Sequence, residues 1–106
     1  LGLTFKENCP DLRNTRVVDV VAELEDWGIT VDVHDPWVDA DEALYEYGIA
    51  LCERPEQGRY DGIILAVAHG EFRDLGADAI RRFGRGPQVF FDLKSVFAST
   101  ESDVRL

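Results

Sequence analysis

Two lysines and an arginine stand where an anion could be gripped. Lys6 follows the short apolar run Leu1-Gly-Leu3, Arg13 comes just before a stretch with helical periodicity, and Lys94 follows Gln88-Val-Phe-Phe-Asp92. If Leu1–Leu3 and 88–92 are parallel strands of one sheet, Lys6 and Lys94 meet at the carboxyl edge although they lie far apart in sequence. That edge is where open α/β sheets bind ligands. Backbone N–H groups at a helix start beginning at Asn14 or Thr15 would add to the same site, and phosphate is the anion this chemistry suits. Arg13 opposes the helix dipole, which prefers anions at its N-terminus. It therefore reads either as a partner of a bridging anionic ligand or as a salt bridge to Asp11 or Glu7.

The remaining reactive side chains offer less. Cys9 and Cys52 have no CxxC or Cys/His cluster around them. A catalytic thiol at Cys9 would have only a helix start to activate it. His69 ends an apolar run and reads as a strand-end cap bonded to backbone, with a base or ligand contact as the alternative. Asp35 sits near the place of a ribose-binding acid. No GxGxxG glycine loop accompanies it, so it reads as a turn residue and the chain is not a self-sufficient NAD binder. Glu23, Glu25, Asp26, Asp39, Asp41 and Glu42 lack metal-ligand spacing, and no metal site is expected.

These groups need a scaffold, and the patterning supplies one. Val17, Val20, Val21 and Leu24 recur at i, i+3, i+4 and i+7, predicting a helix over 14–27 closed by Gly28. Thr30–His34 reads as a strand, Asp39–Tyr47 as a helix, and Gly48–Cys52 as a short edge strand. Gly58–Gly62 reads as a turn. Gly62–Ala68 is uniformly apolar, as in a strand buried on both faces of a parallel sheet. A helix from Glu71, broken near Gly76, leads through a turn at Gly84–Pro87 to the strand 88–92. The tail from Ala98 reads as polar and frayed apart from Val104 and Leu106. The alternation predicts an α/β fold, a three-layer Rossmann-like doubly wound parallel sheet with right-handed crossovers.

Size and composition bound the rest. The chain has 106 residues, 45% of them hydrophobic, which suits one domain with a real core. Eleven basic against twenty-one acidic residues give a net charge of −10. That field repels nucleic acid and anionic membrane surfaces, so neither is an expected partner. No apolar run approaches the ~20 residues of a bilayer span, and no signal-peptide pattern is present. With two lone cysteines, a reducing, cytoplasmic setting is expected. Leu1–Leu3 is too short for a full first strand and no initiator Met precedes it. The chain thus reads as a piece of something longer, its first strand truncated.

The segment Gly2-Leu-Thr-Phe-Lys-Glu-Asn-Cys-Pro-Asp-Leu-Arg-Asn-Thr15 resembles the opening of the C-terminal, UDP-binding domain of the UDP-glucose/GDP-mannose dehydrogenase family. The likeness continues in Asp35-Pro-Trp-Val-Asp39, Tyr60-Asp-Gly-Ile-Ile-Leu-Ala-Val-Ala-His69 and Phe91-Asp-Leu-Lys94, and so spans the chain. The wording is most similar to bacterial UDP-N-acetyl-hexosamine dehydrogenases. The resemblance implies oxidation of C6 of a nucleotide sugar to a carboxylate in two steps with two NAD, for surface polysaccharide. NAD and the catalytic thiol would belong to N-terminal and central domains of the same polypeptide, a homo-oligomer when intact, and this fragment alone would be inactive. It also implies that Phe5 and Lys6 contact the UDP-sugar, that Lys94 holds it from the last strand end, and that Arg13 reaches toward NAD. Many relatives carry arginine where Lys94 stands, so a point-charge contact replaces a bidentate one. The competing reading is a stand-alone nucleotide-binding regulatory module. A flavodoxin-like receiver would need clustered aspartates where Phe5-Lys6 stands.

Overall fold

The computed structural model describes residues 1–105; Leu106, expected to be one of two apolar positions in the tail, lies outside the described residues. The fold is α/β. Its elements run α1 (Val17–Asp26), α2 (Ala40–Tyr47), β1 (Tyr60–Leu65), α3 (Gly70–Leu75), α4 (Ala77–Arg81), β2 (Gly84–Asp92) and β3 (Val104–Arg105). The three strands form one parallel sheet in the order β1-β2-β3.

The free edge of β1 is not bare. The Leu1 amino group donates to Ile64 O at 2.7 Å and Ala66 N–H donates to Leu1 O at 2.9 Å, a parallel pairing of the first residues with β1. On the far side Gly2 N–H donates to His34 O, and Val33 makes an isolated parallel bridge to Leu51. The expected strands at 30–34 and 48–52 thus shrink to a bridge.

Two apolar clusters form the core. Ile63, Leu65 and Phe90 of the sheet bury against Phe72, Ala77 and Ile80 of α3 and α4. Leu3 and Val33 bury with Leu12, with Val21 of α1 and with Ala43 of α2. The helical period of 3.6 residues places Val21 inward on α1, and Gly28 follows it at φ +83°, a conformation glycine adopts without penalty.

Several boundaries differ from the sequence reading. α1 starts at Val17, later than Asn14 or Thr15, because Asn14 is left-handed at φ +61° and the Thr15 hydroxyl is drawn to Leu3 O at 2.6 Å. β1 begins at Tyr60, inside the expected turn, since Tyr60 N–H already donates to Phe83 O. Gly84–Pro87 is not a free turn but an irregular part of β2. There Asp61 alone faces residues 85–88, and the Arg85 guanidinium bridges to its carboxylate at 2.7 Å. The tail is not frayed up to residue 105. The Asp103 carboxylate accepts from Phe90 N–H at 2.8 Å and from Arg81 at 3.1 Å, which lays Val104–Arg105 along β2. The break at Gly76 occurs where expected, at φ +82°.

Candidate functional site

Parallel pairing sends the carboxyl ends of Leu1–Leu3, β1 and β2 to one edge of the sheet. Thr4–Asn8 leaves the first of these ends, His69 lies beyond the second, and Leu93–Phe97 turns away from the third. Phe5 and Lys6 are exposed in the first loop and Lys94 is exposed in the last. The structure therefore places both lysines on the same edge, with the end of β1 between them.

Their charges are uncommitted. The sequence contains only two lysines, Lys6 and Lys94, and nine arginines. Six arginines pair with carboxylates: Arg13 with Asp11, Arg16 with Asp19, Arg59 with Asp32 and Glu56, Arg73 with Glu7, Arg81 with Asp103, and Arg85 with Asp61. Among the described residues neither lysine ammonium has an ion-pair partner. The acids beside Lys6 are occupied as well, Glu7 by Arg73 at 3.6 Å and Asp11 by Arg13. The chain's negative charge is thus locally offset around the first loop.

Arg13 takes the salt-bridge alternative. Its guanidinium grips Asp11 through two bonds of 3.0 and 3.1 Å while its side chain stays 87% exposed. The Arg13 side-chain hydrogen bonds hold the Asp11 carboxyl below the usual carboxylate range. An exposed pair of this kind is weak, so it leaves the arginine movable.

Beneath the first loop is a buried polar network. Asp35 Oδ2 accepts from Leu3 N–H at 2.7 Å, Thr4 N–H at 3.2 Å and His69 Nε2 at 2.9 Å, and Oδ1 accepts from Trp37 N–H at 2.8 Å. Burial pushes the Asp35 carboxyl up, but the hydrogen bonds from His69, Leu3 and Trp37 outweigh it and hold it below its ordinary value. With its acceptor sites filled, Asp35 has nothing to offer a ribose. It is a turn residue, as read, and also the clamp on the first strand end. His69, fully buried, accepts Asn8 N–H at Nδ1 (2.8 Å), so its proton is on Nε2, shared between Asp35 and Thr4 Oγ1. The last loop has a parallel device: buried Asp92 accepts from Val96 N–H at 3.0 Å and Phe97 N–H at 2.9 Å.

Sequence reasoning missed Asp92 and Asn8, and it assigned Asp35 and His69 only local duties. An Asp ending a strand before a turn was the available signal for Asp92. It also missed Arg105 at the end of β3, whose Nε donates to Ser95 Oγ beside Lys94. Cys9 and Cys52 are half-buried free thiols. Among the described residues no cluster could hold a metal ion, and no helix is long and apolar enough to cross a membrane.

Comparison with known proteins identifies the family. Residues 1–99 match the UDP-glucose/GDP-mannose dehydrogenase family, UDP binding domain. The chain is 58% identical over 106 residues to a UDP-N-acetyl-D-glucosamine 6-dehydrogenase of Pseudomonas aeruginosa, covering 100% of this chain and 25% of that protein. It is 52% identical over 106 residues to a protein of the same name from Salmonella typhi, with the same coverage of 100% and 25%. A UDP-glucose 6-dehydrogenase of Rhizobium meliloti is 28% identical over 103 residues, 95% of this chain and 23% of that protein. The chain therefore spans about a quarter of the length of the relatives it matches.

Proposed function

This chain belongs to the UDP-glucose/GDP-mannose dehydrogenase family, as its UDP binding domain, and from that premise we propose that it holds the nucleotide end of a UDP-sugar for a 6-dehydrogenase. The observation that carries the reading is the pair of uncommitted lysines on one carboxyl edge, in a chain where six of the nine arginines are ion-paired. A diphosphate is the anion that two separated ammonium groups can hold together. Phe5, exposed beside Lys6, offers an apolar face to the sugar or base. The three-layer, doubly wound arrangement of the Rossmann class is supported by Leu1–Leu3 lying between His34 and β1, with helices packed in two separate clusters.

In the longer polypeptide this domain is C-terminal, and its work is positioning. Fixing the diphosphate presents C6 of the sugar to groups carried elsewhere, which converts binding into orientation. NAD would accept hydride in such an enzyme, but the residues present here do not form a dinucleotide site. The glycine loop is missing, and the one acid near the ribose position, Asp35, is saturated. This chain carries no oxidation step of its own, and in the intact enzyme the exposed Arg13 reaches toward NAD held by another domain. The setting is cytoplasmic, the product a UDP-uronate for polysaccharide, and the assembly a homo-oligomer through domains outside this chain.

Calorimetric titration with UDP, uridine and NAD+ tests the reading. UDP is expected to bind weakly, with Kd on the order of 0.1–1 mM and ΔG near −5 kcal/mol, uridine at least tenfold more weakly, and NAD+ with no measurable heat. UDP binding no tighter than uridine would remove the diphosphate from the argument.

A further inference from the structure

We propose that His69 is a positioning residue for anion binding, acting as the Nε2–H tautomer that clamps the Lys6 loop in its binding shape. The inference rests on the UDP-site reading and adds to it the group that shapes the loop. A histidine bonded only within its own element would tie no distant segments together. His69 instead uses its two ring nitrogens to join two distant segments: Nδ1 takes Asn8 N–H at 2.8 Å, and Nε2–H is given to Asp35 at 2.9 Å.

The loop is pinned at both ends as a result. At its start, Leu3 and Thr4 N–H are held by the same Asp35 oxygen that receives His69, and Thr4 Oγ1 donates to Lys6 O at 2.9 Å. At its end, Asn8 is gripped twice, since its Oδ1 also accepts Gly70 N–H at 2.7 Å. That double grip holds Asn8 in the left-handed region at φ +53°. The imidazole itself is braced. Trp37 stacks on it at 5.9 Å and 27°, and Trp37 Nε1 donates to Glu71 at 2.9 Å. Lys6 lies midway between the anchors, so its ammonium is presented on a preformed loop. Without the clamp, ordering that loop would be charged against ligand binding, and affinity would fall although no contact to the ligand was removed.

The test uses the 106-residue chain, His69→Phe, His69→Gln, and UDP as the probe. Imidazole nitrogen NMR of the unsubstituted protein should show Nε2 protonated and Nδ1 bare; a proton on Nδ1 overturns the proposal whether or not any variant folds. His69→Phe should raise the Kd for UDP at least tenfold and speed amide exchange at Lys6 and Asn8. His69→Gln, which can accept from Asn8 and donate to Asp35, should return both to within about threefold of the parent. A folded His69→Phe that binds UDP like the parent sinks the idea. If the parent itself fails to bind UDP, the site reading falls separately. Amide exchange then decides the clamp: faster exchange in His69→Phe alone supports it, and equal exchange in all three proteins overturns it.

Discussion

The carboxylate of Asp92 receives the N–H of Phe97 at 2.9 Å, five residues on, and that of Val96 at 3.0 Å, folding the turn that carries Lys94. The acid is fully buried and the lysine exposed, so one residue shapes the turn and another is left to meet a ligand. Asp92→Ala leaves two backbone donors without their acceptor. The expected cost is about 2–3 kcal/mol of stability, read as a lowered urea midpoint with an unchanged slope. Loss under 0.5 kcal/mol, the ordinary scale for a surface change, would contradict the assignment.

The lysines should behave in the opposite way. Lys6→Ala and Lys94→Ala remove exposed ammonium groups that have no ion-pair partner among the described residues, so stability should stay within about 0.5 kcal/mol. Each should weaken UDP binding by about tenfold, or about 1.4 kcal/mol, with a loss that shrinks as salt rises. Lys94→Arg should retain affinity, since a guanidinium grips phosphate at least as well. Unchanged UDP titrations for both alanine variants would leave the edge without a function.

Two glycines at positive φ separate space from strain. A Cβ on Gly2, at φ +96°, would stand 2.6 Å from Val67 Cβ and 2.8 Å from Val67 N, whereas at Gly28, φ +83°, it would meet nothing within 4 Å. Gly28→Ala should cost about 1–2 kcal/mol, the conformational strain alone. Gly2→Ala adds a clash with backbone and should cost about 2–3 kcal/mol more. Chemical denaturation of the two variants compares them directly, and equal losses would mean that the Gly2–Val67 approach relaxes freely.

Patterning alone determined the class of this protein. The 3.6-residue repeat of Val17, Val20, Val21 and Leu24, and the unbroken apolar run through Leu65, specify which faces must be buried, and those faces admit an α/β sheet with helices packed on it. The motif from Gly2 to Thr15 carried the family, and the strand-end rule pointed to Lys6 and Lys94 without it. What the sequence could not disclose is which polar groups meet across 30 to 60 positions. Asp35 and His69 look like a turn residue and a strand cap when read locally. Only the folded chain brings Leu3, Thr4 and Asn8 to them and turns the pair into a clamp. Arg13 was undecided for the same reason, because local charge offered both Asp11 and a ligand as partners. Ladder boundaries were also decided late. Whether 30–34 forms a strand or a single bridge, and whether the tail lies along β2, depends on hydrogen bonds such as Asp103 to Phe90, which propensity does not encode. Periodicity reports burial, and burial is local to a segment; hydrogen-bond partnership is a property of two segments at once.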